Sequence, residues 1–157
     1  MKWVAEGRAV ETKSRRPPAA RFVARLRPGS VLSKEDMKGG TADRLLLDAR
    51  APDRYRGDSE PVDPRAGHIP GAKNAPFSSN LTAGPIPVFL PPNALRKKYA
   101  ALGADATPPV VYCGSGVTAC HDLLALHAAG LPGALYAGSW SEWSADPELP
   151  VATGSTP

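Results

Sequence analysis

Three short apolar runs constrain the fold of this chain more than any other feature: Arg44–Asp48 (RLLLD), Val110–Cys113 (VVYC) and Ala134–Ala137 (ALYA). Each has the length of a strand and is apolar without alternation, the pattern of a strand buried on both faces. Helical segments fit around them. Asn93–Leu102 sets Leu95, Tyr99 and Leu102 at helical spacing and stops at Gly103. Thr118–Ala129 carries Leu123, Leu124, Leu126 and Ala128 on a broad apolar face and stops at Gly130. A short helix is predicted over Ser33–Lys38, with Ser33 as its cap. Strands alternating with helices predict an α/β domain, a mostly parallel sheet flanked by helices. At 157 residues the chain has room for one such domain.

Composition narrows the function classes. Hydrophobic residues at 42% support one core, and no apolar run reaches membrane length. The net charge of +4 is unevenly placed. Residues 1–27 hold eight Lys/Arg against two Glu, whereas the remainder holds 11 against 13 acidic residues. The basicity therefore belongs to the leader, which reads as a solvated linker rather than an arm for nucleic acid. Within it, residues 12–30 combine Pro, Arg and Gly, with a short strand predicted at Arg21–Arg25. Residues 1–27 contain no apolar core of a secretory signal. Two cysteines, Cys113 and Cys120, make no disulfide framework, and the expected location is the cytoplasm.

The chemistry concentrates in residues 110–119, VVYCGSGVTA. A buried strand runs into Cys113, then a Gly114-Ser115-Gly116 loop, then a helix start. Ligands gather at the carboxyl ends of strands in open parallel sheets. Two glycines let successive N–H groups form an anion-binding concavity, and the helix start adds a positive dipole end. A cysteine held there is expected as its thiolate, an activated nucleophile. Cys120, inside the helix, reads as a packing residue. The loop lacks the Gly-Lys-Ser/Thr ending of a P-loop. Ala119 stands where a cysteine phosphatase has its arginine, and Cys113, Cys120, His121 and His127 match no paired zinc-ligand spacing. No metal or cofactor is called for.

CGSGVTAC, with upstream LLLDAR, RYRG and GHIPGAKNAPF and downstream YAGSWSEW, resembles the rhodanese (sulfurtransferase) family. It most resembles the C-terminal, catalytic domain of two-domain thiosulfate/3-mercaptopyruvate sulfurtransferases. The resemblance implies that Cys113 takes a sulfane sulfur from a donor, holds it as a persulfide and passes it to cyanide or a thiol. Gly114, Gly116, Val117 and Thr118 would cradle that persulfide with their N–H groups. Arg54 matches the family's donor-binding arginine, and Arg65, after Glu60-Pro61, stands for a second. Ser115 matches a serine that assists release of pyruvate, working with a His and an Asp on the other domain. The loop lacks the cations that follow the cysteine in thiosulfate enzymes, so 3-mercaptopyruvate is the expected donor.

The resemblance also implies a domain plan: residues 1–30 as the tail of a preceding domain plus linker, 31–154 as the catalytic domain, and 155–157 as a disordered tail. A preceding rhodanese domain, or self-association through the surface it would cover, is the expected macromolecular partnership. The alternative is a rhodanese-fold interaction module with little turnover. Arg50 and Arg56 are expected as solvated surface arginines. Asp48 is expected to accept hydrogen bonds at its strand end, His68 to order a turn, and at least one of Trp140 and Trp143 to lie in the core.

Overall fold

The computed structural model describes residues 2–25, 27–39 and 44–157. In chain order the first elements are α1 (Lys2–Ala5), β1 (Val31–Leu32), α2 (Lys34–Lys38), β2 (Leu46–Asp48), α3 (Pro52–Arg56) and β3 (Ala72–Asn74). A 3₁₀ turn, Phe77–Asn80, precedes α4 (Pro92–Leu102), β4 (Val110–Tyr112), α5 (Val117–Ala128), β5 (Ala134–Tyr136) and α6 (Ser139–Ala145). The five strands form one parallel sheet in the order β1-β5-β4-β2-β3. The expected α/β class with a parallel sheet is what the chain adopts.

The unbroken apolar runs follow from burial on both sides of that sheet. Leu47, Val111 and Cys113 enter one core with Leu95 and Tyr99 of α4 and Ala119, Ala125 and Leu126 of α5. Leu46, Val110 and Tyr112 enter the other, with Met37, Ile69, Trp140 and Trp143. Alternate residues of one strand thus feed two different cores, so neither parity is left to face water. Both tryptophans are core residues, at 0% and 2% exposure. Ser33 caps α2 as expected, in a reciprocal box with Asp36.

The sheet's edges escaped the sequence reading. Strand β1 has two residues, and β3 carries Lys73 and Asn74, so neither presents an apolar run. The strand expected at Arg21–Arg25 does not form. Those residues are exposed coil, Phe22 at 90%, because no neighbouring strand supplies hydrogen bonds or burial there. Among the described residues, no helix is long and apolar enough to cross a membrane.

Candidate active site

Strand β4 is the middle of the five, so its C-terminal end opens between β2 and β5. Cys113 stands at that end, 2% exposed, and lines a cavity of about 300 Å³. The β2–α3 segment contributes Arg50, Ala51 and Arg54 to the walls, the 3₁₀ turn contributes Phe77, and the loop contributes Gly114, Ser115, Val117 and Thr118. Cys113, Ser115, Arg54, Gly114, Val117 and Thr118 are therefore gathered around one space. Gly116 is buried and is not among the residues lining that space, and its backbone explains the residue. Its φ is +82°, and a Cβ there would lie 2.9 Å from the Ala137 carbonyl oxygen.

The loop's polar groups divide cleanly. The Cys113 and Gly114 carbonyls accept the N–H groups of Trp140 and Ser141, each at 2.9 Å. Among the described residues, the N–H groups of Gly114 through Ala119 have no protein acceptor. They include the opening turn of α5, which carries no side-chain cap. A row of unused donors along a cavity wall is what an anion needs.

The arginines sort differently from expectation. Arg54, with its side chain 22% exposed, donates to Glu60 at 2.6 Å and to Asp63 at 3.1 Å while facing the cavity. Burial pushes the Glu60 carboxyl up, but Arg54 and the Val62 and Asp63 N–H groups hold it below its ordinary value. Arg50 is not a solvated arginine. It is 3% exposed, forks onto Asp48 (closest contact 2.6 Å), reaches the Gly67 carbonyl at 2.6 Å, and lies 4.6 Å from the Trp140 ring centre. The buried Asp48 carboxylate two residues back draws it inward, since a charge in that position needs a partner. Asp48 accepts at its strand end as expected. Arg56 is a surface residue, paired with Asp58 at 2.7 Å.

Arg65 lies outside the cavity walls. Its guanidinium donates to the Trp143, Ser144, Asp146 and Leu149 carbonyls, closing the end of α6. Orphan carbonyls at a helix end attract a fork of donors, and the chain between Arg54 and Arg65 delivers this one to α6 instead of to the cavity. His68 orders its turn from a buried position. Its Nδ1 lies 2.8 Å from the Tyr55 carbonyl, and its ring stacks on Tyr55 at 3.8 Å.

Two features had no sequence prediction. Behind Phe77, the ring of His121 meets it edge-on at 5.5 Å. The neighbouring Asp122 is fully buried and accepts from Asn80 at 2.7 Å, and the Asn80 oxygen accepts from Lys98 and Tyr99. Burial pushes Asp122 up to about 7, against the pull of Lys98 and its hydrogen bonds. Ser139, at the start of α6, accepts the Cys113 N–H at 3.2 Å. Its sequence signals are that it follows a glycine after a buried strand, as Ser115 does, and that it stands within YAGSWSEW.

Residues 32–146 match the rhodanese-like domain family. Over 112 residues the chain is 59% identical to a Pseudomonas aeruginosa protein named "Probable 3-mercaptopyruvate sulfurtransferase", covering 69% of this chain and 39% of that one. It is 36% identical to bovine thiosulfate sulfurtransferase, covering 97% of this chain and 54% of the relative. Among solved structures, 3-mercaptopyruvate sulfurtransferase from Leishmania major superposes with a TM-score of 0.67 at 29% identity, over 92% of this chain and 42% of that one. The chain spans about half the length of the curated relatives it matches.

Proposed function

The chain belongs to the rhodanese-like domain family, and on that premise we propose that it is the sulfur-carrying part of a 3-mercaptopyruvate-type sulfurtransferase. The observation that carries this reading is Cys113 at the end of the central strand, in a cavity it shares with Arg54 and a row of unused N–H donors. The Cys113 thiolate attacks the sulfur of 3-mercaptopyruvate. The carbon–sulfur electron pair leaves with carbon as the pyruvate enolate, and the proton from the donor's thiol completes pyruvate. Cys113 is left as a persulfide anion beside the Gly114–Thr118 N–H groups. Cyanide or a thiolate then takes the outer sulfur and regenerates the Cys113 thiolate. Arg54 grips the donor's carboxylate, and Ser115 at the rim assists protonation of the enolate.

Charge around the cavity supports the monoanionic donor over thiosulfate. Arg50 and Arg54 face three carboxylates, Asp48, Glu60 and Asp63, so the cavity has no excess positive charge and opposes a dianion more than a donor with one negative charge. The relatives' greater length and the exposed Val117 on the cavity rim, at 73%, favour a preceding rhodanese domain as partner. Two free cysteines suit the reducing cytoplasm.

Intact-mass spectrometry after incubation with 3-mercaptopyruvate, or with thiosulfate, tests the reading. The expected result is a gain of one sulfur atom with 3-mercaptopyruvate, reversed by cyanide and absent in Cys113→Ser. No gain with either donor, alone or with a separately supplied N-terminal rhodanese domain, refutes it in favour of an interaction module.

A further inference from the structure

The turn between β5 and α6 underlies the cysteine loop, and one of its residues has an unfavourable backbone. Ser139 is the one non-glycine residue with positive φ among the described residues, at +56°, and it is fully buried. A side chain is sterically penalised there, whereas glycine would adopt that conformation freely. The chain does hold a glycine next door, at Gly138, where φ is an ordinary −62°. A hydroxyl is thus kept where backbone conformation favours having no side chain. Persistent strain of this kind points to a use for the residue.

The use is visible in its partners. The Ser139 hydroxyl donates to the Tyr136 carbonyl at 2.9 Å and accepts the Cys113 N–H at 3.2 Å. The next two residues donate their N–H groups to the Cys113 and Gly114 carbonyls. Residues 139–141 therefore engage both backbone polar groups of the cysteine and the carbonyl after it. The N–H groups from Gly114 onward are the ones left over.

We infer that Ser139 is a positioning residue for Cys113: by tying the nucleophile's N–H to the end of β5, it holds the loop so that its free N–H groups receive an anion at the sulfur. That the anion is a persulfide rests on the proposed sulfurtransferase reading; the geometry does not. A residue that merely braced the turn would affect stability and leave the cavity's response to charge alone. Ser139→Gly separates the two roles, because it relieves the backbone while removing the hydroxyl.

The test uses the whole chain as parent, Ser139→Gly and Ser139→Ala. Each is alkylated with iodoacetate and, separately, with iodoacetamide, reagents of nearly equal size that differ in charge. The ratio of the two rates at Cys113, resolved by peptide mass, cancels access and thiolate fraction and reads the reception of an anion. Cys120, exposed on α5, is the internal reference. The expected result is a fall in the Cys113 ratio of about tenfold in both variants, the scale of one lost hydrogen bond. The Cys120 ratio should stay constant, and Ser139→Gly should melt no lower than Ser139→Ala, since both lack the hydroxyl and only glycine relieves the backbone. A Cys113 ratio unchanged in both variants overturns the inference. Sulfur loading of the parent is followed separately, so failure to load refutes the sulfurtransferase reading while the alkylation ratio still judges Ser139.

Discussion

Asp122→Asn should stabilise the protein more at pH 8 than at pH 5. The Asp122 carboxyl is fully buried between the 3₁₀ turn, α4 and α5, and one of its oxygens, Oδ2, has no hydrogen-bond partner. Burial lifts it from an ordinary 3.8 to about 7, although Lys98, Asn80 and Tyr99 favour the charged form. A carboxyl raised on folding keeps its proton in the native state at pH values where the unfolded chain has lost it. Stability therefore declines as pH rises from about 4 to about 7, and the cost is fully present above that window. At about 1.4 kcal/mol per pH unit the whole displacement is worth about 4 kcal/mol, of which about 2.5 kcal/mol falls between pH 5 and pH 8. Asparagine keeps an oxygen for Asn80 to donate to and cannot ionise. Urea unfolding of both proteins at the two pH values, with a common m-value, supplies the comparison. The stability gain of Asp122→Asn over parent should be larger at pH 8 by about 2.5 kcal/mol. A gain that does not vary with pH would refute the reasoning that burial governs this carboxyl.

Arg50→Ala should destabilise by about 3–5 kcal/mol in urea unfolding, because it leaves Asp48 buried without its guanidinium; a cost below about 1 kcal/mol would contradict that pairing. Arg54→Ala should raise the KM for 3-mercaptopyruvate by about tenfold or more through the lost carboxylate clamp. Arg65→Ala should leave that KM unchanged and lower the melting temperature, since its donors close α6. Steady-state kinetics with cyanide as acceptor, beside thermal melts, reads both. Glu60→Gln removes one of the two carboxylates that neutralise Arg54. Thiosulfate turnover should then rise relative to 3-mercaptopyruvate, and an unchanged donor ratio would refute the charge-balance account.

The interior of the fold was written locally. A strand covered on two faces is mostly apolar, so β2, β4 and β5 were legible as RLLLD, VVYC and ALYA, the one buried charge being Asp48 at the end of β2, which Arg50 pairs. The helices α4 and α5 were legible from spacing and from the glycines that follow them. The strand–Cys–Gly–Ser–Gly–helix order likewise marked where a nucleophile and free N–H groups would meet, because those consequences need only neighbours in sequence.

Tertiary structure decided which distant groups became partners. Edge strands β1 and β3 need a neighbour more than an apolar pattern, so their short, partly polar sequences did not announce them. Arg50, Arg54 and Arg65 belong to one residue type within 16 positions of each other. One turns into the core onto Asp48, one faces the cavity between two carboxylates, and one closes a helix from the C-terminal part of the chain. A guanidinium's role depends on which acceptors the fold brings within about 3 Å, and sequence separation says nothing of that. The same holds for Ser139, 26 residues from Cys113 in the chain and one hydrogen bond from it in the fold.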